Sequence, residues 1–221
     1  TGGGDRAATL AAFGRGVACA GMLPDEGVVR GLPPRLIRRL RRLPRIALAL
    51  AQAACGTGSA ATAPRSVFFG TAWGPLSETH EFLAALFASS ERFASPTDFV
   101  GSVHNAPAGQ IAMVHGAKGP NVTSTAGSLS FEQALFLASL LAHGDDEPIL
   151  VGGADERHAT LGPLVDPLPE GEVPADGGGV LLVRRADTVT GVRVVPRLPA
   201  VATGVDPVAA TFDALGGPES V

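Results

Sequence analysis

Thr125-Ala-Gly-Ser128-Leu-Ser130 is the stretch of this sequence where residue types and spacing point to chemistry. The residues before it, 122–126, predict a strand that ends in small side chains and turns directly into a helix over about 129–142. A side chain at such a turn meets the unpaired N–H groups and the positive end of the helix dipole, both of which favour developing negative charge. That is a place for a nucleophile, and Ser128 occupies it. Serine is also a common helix N-cap, and taken alone the position reads more readily as that structural role. A serine nucleophile needs a base, and the local pattern is not Gly-x-Ser-x-Gly, because Ala126 and Ser130 flank Ser128 at the outer positions.

The bases on offer are five histidines. His143, at the far end of the predicted helix and followed by Gly144, reads as a C-terminal cap. His80 and His158 sit in polar surroundings and are expected to be exposed. His104, beside Asn105, and His115, beside Gly116, remain candidate neighbours of an active site. Other constellations are weaker. Gly177-Gly-Gly179 precedes a strand and does not open a helix, which makes a poor dinucleotide fingerprint. Asp145-Asp-Glu147 reads as a solvated turn, and Asp155-Glu156 lacks the companion carboxylates of a metal site. Cys55 reads as a small buried residue. Arg35, Arg38, Arg39, Arg41, Arg42 and Arg45 form a basic run, either a solvated helix face or a docking surface for an acidic partner.

The elements that must position these groups alternate. Residues 11–20 are expected to hold a first strand, and 23–32 a loop. Pro33-Pro34 opens a helix whose stripe, Leu36, Leu40, Leu43, Ala47 and Leu50, runs to about Ala54, with Pro44 expected to kink it. Residues 66–70 form an uncharged strand. Ser77 is expected to cap the next helix, whose apolar positions are Phe82, Leu83, Leu86 and Phe87. Residues 91–97 read as loop, and 98–119 as a short extended piece followed by a small-residue helix over 106–115. The helix after Ser128 is apolar nearly all round, which predicts central burial. Residues 148–152, 180–183 and 192–195 are further strand candidates. Strands that are apolar throughout, alternating with helices, imply an α/β fold with a largely parallel sheet covered on both faces.

Composition agrees. The 221 residues are 45% hydrophobic and 17% charged, enough for a substantial core in one domain. A net charge of -4 argues against binding nucleic acid through massed phosphate contacts. No run resembles a membrane helix, and residues 1–20 carry Asp5, Arg6 and Arg15 where a signal peptide needs an apolar centre. Two cysteines, Cys19 and Cys55, supply neither a disulfide framework nor a structural zinc site, so a reduced, cytoplasmic setting is the default. The chain begins with Thr1 and not Met, which leaves its true start open.

Several motifs now fall into one order. Asn105-Ala-x-Ala-Gly109-Gln-Ile-Ala-Met113, Gly119-Pro120, Thr125-Ala-Gly-Ser128 and Val151-Gly-Gly-Ala-Asp-Glu156 together resemble the N-terminal half of a β-ketoacyl synthase. Asp176-Gly-Gly-Gly-Val-Leu-Leu-Val183 is similar to the glycine-led strand that closes that half. The helix opened by Pro33-Pro-Arg35 and the segment Ser102-Val-His-Asn105 resemble the short chain-length-factor relatives found with aryl-polyene and related type II systems. The resemblance covers about residues 8–195 and implies a thiolase-like fold: layered, with a mostly parallel mixed sheet covered by helices.

Two departures bear on function. The resembled family has a catalytic cysteine where this chain has Ser128, and serine is a much poorer nucleophile without a positioned base. The family's two active-site histidines lie in the other half of the fold, and none of the five here stands at a matching motif. The expectation is a non-catalytic subunit that pairs with a full ketosynthase, shapes its acyl tunnel, uses no cofactor, and meets substrates on an acyl carrier protein. Phe99, Val103, His104 and Asn105 are expected at the tunnel and interface, with Phe99 either a tunnel floor or a core residue. Arg38, Arg39 and Arg42 are expected to dock the carrier protein or partner. The rival expectation is a stand-alone acyltransferase or thioesterase that uses Ser128.

Overall fold

The computed structural model describes residues 21–56, 58–141 and 147–184, together with Ala11 and Arg15. The strand expected over 11–20, that over 192–195, Cys19, His143, and Asp145 and Asp146 of the acidic turn lie outside the described residues.

Four strands make one sheet: β1 (Ser66–Gly70), β2 (Asn121–Ser124), β3 (Ile149–Asp155) and β4 (Gly177–Val183), in the order β2-β1-β3-β4. β1 is parallel to both β2 and β3, whereas β4 runs antiparallel to β3. The register sets Gly70 beside Ser124 and Gly153, so β1 and β2 end level while β3 runs two residues further, to Asp155. Every residue of β1 is buried, as expected for a strand covered on both faces. Val67 and Phe69 join the larger core, which also takes in Leu43, Ile46, Ala47, Ile111 and Leu150. Phe68, between them in sequence, points to the other face with Val151 and Ala138.

Eight helices accompany the strands among the described residues: α1 (Asp25–Val29), α2 (Pro34–Ile37), α3 (Arg42–Cys55), α4 (Leu76–Ala88), α5 (Pro96–Ser102), α6 (Ala106–His115), α7 (Ser130–Leu141) and α8 (Gly162–Val165). α3 buries Leu43, Ile46, Ala47, Leu48, Ala51 and Cys55, each large aliphatic contributing about 1.5–3 kcal/mol. It ends at Gly56, whose φ of 77° is costly for any residue with a Cβ. None of the described helices is long and apolar enough to cross a membrane.

Five local expectations need correction. The loop expected over 23–32 contains α1, a single turn held by burial of Val28 and Leu32 in the core. The helix expected to kink at Pro44 breaks earlier, between Ile37 and Arg42, so Pro44 falls in the first turn of α3, where its missing N–H costs nothing. Ser77 does not cap α4, because Pro75 holds the N-cap position and the Ser77 side chain is engaged by Glu156. The extended piece expected after Asp98 is α5, capped by the Ser95 hydroxyl accepting from the Asp98 N–H at 3.3 Å. α7 is not centrally buried: Ser130, Ala134 and Ala138 are buried and Leu135 and Leu137 half-buried, while Phe131, Phe136, Leu140 and Leu141 are exposed, as is Leu129 just before it.

α7 sits close on the sheet because Gly70 has no side chain. A Cβ at that position would collide with the backbone of Ser130 and Phe131. Backbone cannot rotate away as a side chain can, so Gly70→Ala should destabilise the chain by about 1–3 kcal/mol in denaturant unfolding. A mutant as stable as the parent would show that α7 can slide.

Candidate functional site

The C-terminal ends of β1 and β3, together with β4, form one wall of an open cleft of about 660 Å³. Gly127, Ser128, Ser130 and Phe131 form another wall. The link from β2 to α7 is a tight 3-10 turn, Gly127–Leu129, begun by Gly127 in a left-handed conformation. Ser128 is exposed on this turn, at the mouth of the cleft.

The hydroxyl that fastens the turn is that of Ser130. Its Oγ accepts the Ala126 N–H at 2.9 Å and donates to the Gly127 carbonyl at 2.7 Å. Ser124 donates to Gln133 Oε1 at 2.8 Å, which ties the end of β2 to α7. Ser128 is therefore not the cap, and among the described residues its hydroxyl has no hydrogen-bond partner.

Neither candidate base reaches it. Among the described residues no histidine lines the cleft. His104 is exposed, with its ring against Gly74, where a Cβ would stand 2.9 Å from Cδ2. His115 ends α6 with its Nε2 buried and unpartnered, and burial lowers its pKa. His80 and His158 were expected to be exposed; they are half-buried and pack ring against ring at 4.6 Å. A nucleophile without a base is a weak one.

The carboxylates around the cleft serve the architecture. Asp155, at the end of β3, accepts from the Thr71 hydroxyl at 2.8 Å and from the N–H groups of Ala72 and Trp73 at 2.8 and 3.2 Å. It thereby fixes the loop after β1. Glu156 accepts from the Ser77 N–H and hydroxyl at 2.8 and 2.6 Å, which anchors the start of α4. Burial raises the pKa of both carboxyls against these hydrogen bonds. No group of three or more metal-ligating side chains occurs among the described residues.

The basic run divides. Arg41 pairs with Glu81 at 2.6 Å, and Arg45 donates to the Ile37 carbonyl. Arg42 is no docking residue: its guanidinium is spent on Asp176, Asp25 and the Leu23 carbonyl. Arg38 and Arg39 are exposed, as are Arg30 and Arg35. Sequence reasoning missed Asp176, whose side chain is fully buried against Arg42; an acid set directly before a glycine-led strand is the signal that was available.

The segment expected at an interface is largely uncovered. Phe99 is 54% exposed and meets only Phe82 among rings, at 5.7 Å, so it is not a core residue. Val100, His104 and Asn105 are exposed beside it and Val103 is half-buried. Met113 and Val114 on α6 are exposed as well.

Comparison with known proteins follows the same lines. No curated protein sequence matches the chain. The fold is similar to the ishigamide ketosynthase/chain length factor, with a TM-score of 0.68 at 24% identity over 84% of this chain and 59% of that one. It is also similar to the ketosynthase ApeO in complex with its chain length factor ApeC from Xenorhabdus doucetiae (TM-score 0.57, 24% identity, 71% of this chain, 62% of that one). A β-ketoacyl synthase from Burkholderia phymatum gives 0.61 at 19% identity, over 76% and 48%. At these identities the likeness is one of fold, and the chain spans less than two thirds of each of these structures. The family model for the β-ketoacyl synthase N-terminal domain matches residues 21–160, from the bridge residue before α1 to the turn after β3, and the chain belongs to that family.

Proposed function

We propose that this chain is a non-catalytic, chain-length-factor-like subunit that pairs with a full ketosynthase of a type II polyketide system, aryl-polyene-like in kind, and shapes its acyl channel. The observation that carries the reading is Ser128: where the resembled synthases carry cysteine, this chain has an exposed hydroxyl with no base beside it among the described residues. The partner supplies the thiolate and the groups that promote decarboxylation. Two of the similar structures contain a ketosynthase together with a chain length factor, which favours this reading. The uncovered segment with Phe99, Val103, His104 and Asn105 is the surface offered to that partner, and its exposed apolar side chains gain from desolvation. A permanent pair of this kind buries over about 2,000 Å². Acyl carrier protein is met through the complex, with Arg38 and Arg39 as exposed cations of the basic run that have no ion pair among the described residues.

The test is reconstitution with a full ketosynthase of a type II system. The chain alone should not condense acyl and malonyl thioesters, and Ser128→Ala should leave the activity of the pair within about tenfold. Total loss of activity from an intact Ser128→Ala complex would instead favour a serine-dependent acyltransferase or thioesterase.

A further inference from the structure

Glu78 lies where three helices and the approach to α3 converge. Its Oε1 accepts the backbone N–H of Arg41 at 2.9 Å. Its Oε2 is buried without a partner. A cavity of about 120 Å³ lies beside it, bounded by Arg39 and Arg41 ahead of α3, Glu81 on α4, Asp98 on α5 and Gln110 on α6. The Arg41 guanidinium is taken by Glu81, so among the described residues Glu78 has no ion pair of its own. Glu156, following β3, faces it with a second negative charge.

α5 crosses this carboxyl closely. At Gly101 an added Cβ would stand 3.4 Å from Glu78 Cγ, in ordinary contact, so α5 turns its glycine toward the stem of the glutamate. One carboxyl thus underlies the helix that carries Phe99 and Val100. When neutral it fits a site with one donor and a small cavity; when charged it is poorly solvated and repelled by Glu156, which the Arg41 charge opposes.

We propose that Glu78 is a proton-operated latch: neutral, it holds α5 and the residues up to Asn105 against α4, and on ionising it lets them loosen. The device belongs to the chain itself and does not depend on the function proposed above. Burial pushes the Glu78 carboxyl from 4.5 up to about 7; the Arg41 N–H opposes the shift and Glu156 adds to it. A group that binds its proton more tightly in the closed state stabilises that state at low pH, and the stabilisation is lost as pH rises through about 7. With an opened carboxyl titrating near 4.5, the opening equilibrium should grow about tenfold between pH 6 and pH 8.

Amide hydrogen exchange of residues 96–105 in the full chain, corrected for intrinsic rates, reads this directly. The wild type should lose about tenfold in protection between pH 6 and pH 8, and Glu78→Gln should lose none. Imidazoles titrate in the same window, so His80→Gln and His158→Gln are the controls and should keep the wild-type loss. Equal wild-type protection at both pH values overturns the latch. So does a loss that persists in Glu78→Gln or vanishes in either histidine variant. Should Glu78→Gln fail to fold, the carboxyl carbon-13 shift of Glu78 in the wild type decides, because its midpoint must coincide with that of the loss of protection and a mismatch overturns the proposal.

Discussion

Arg42→Ala should lower the unfolding free energy by about 3–5 kcal/mol, whereas Arg38→Ala and Arg39→Ala should each change it by less than about 0.5 kcal/mol. All three stand within five residues in sequence, and the difference lies in what each side chain touches. The Arg42 side chain is 17% exposed and reaches three separate segments. Its Nε pairs with Asp176, one terminal nitrogen with Asp25, and the other donates to the Leu23 carbonyl at 2.6 Å. Asp176 in turn accepts the Leu23 N–H at 2.7 Å, so α1, the start of α3 and the start of β4 are tied at one point. Removing the arginine leaves a fully buried carboxylate with one neutral donor, and an uncompensated buried charge is among the costliest single changes. Arg42→Lys keeps the charge but loses the planar fork, and should fall between alanine and wild type. Urea unfolding with an unchanged slope is the measurement. An Arg42→Ala protein as stable as Arg38→Ala would mean that the knot contributes nothing.

The same comparison marks what a sequence can and cannot disclose. Residues 66–70 and 148–152 carry no charge, and a strand without alternation must be covered on both faces; that reading holds in β1 and in β3, which runs on to Asp155. The helix expected over 106–115 is α6 with those limits, because Asn105-Ala-Pro107 starts it and Gly116 in a left-handed conformation stops it. α1 escaped because a single turn has no periodicity to detect; it exists through the burial of Val28. α5 did carry a signal, Ser95 before Pro96, but Gly101 and Val100 argue locally against a helix. At the candidate site the ambiguity was finer. Ser128 and Ser130 are two residues apart on one turn, and only backbone geometry shows that Ser130 fastens it. An all-round apolar helix predicts burial but cannot say by what, and most of α7 beyond its Ala134 and Ala138 stripe is uncovered by this chain's described residues. Arg42 was indistinguishable from its neighbours for the same reason: its partners, Asp25 and Asp176, are distant in sequence and only the fold brings them together.

Phe99→Arg should weaken the proposed pairing with a ketosynthase by more than about a hundredfold, at little cost to the chain itself. In the chain, Phe99 is more than half exposed and leans on Phe82 at 60°, so truncating it opens no closed cavity. Phe99→Ala should therefore cost well under the roughly 3–5 kcal/mol of a core phenylalanine. In the proposed pair, the same side chain would lie between two surfaces. A guanidinium there must shed its water without a counterion, and the penalty appears in the dissociation rate. The alanine variant asks a separate question. If Phe99 reaches the partner's acyl channel as its floor, Phe99→Ala deepens the channel, and product mass spectrometry of the reconstituted pair should show longer chains. If Phe99 only seals the interface, the pair weakens and product length stays fixed. An Arg variant that pairs as tightly as wild type takes Phe99 out of the interface altogether. A stable Phe99→Ala complex with an unchanged product distribution leaves it at the interface but outside the channel.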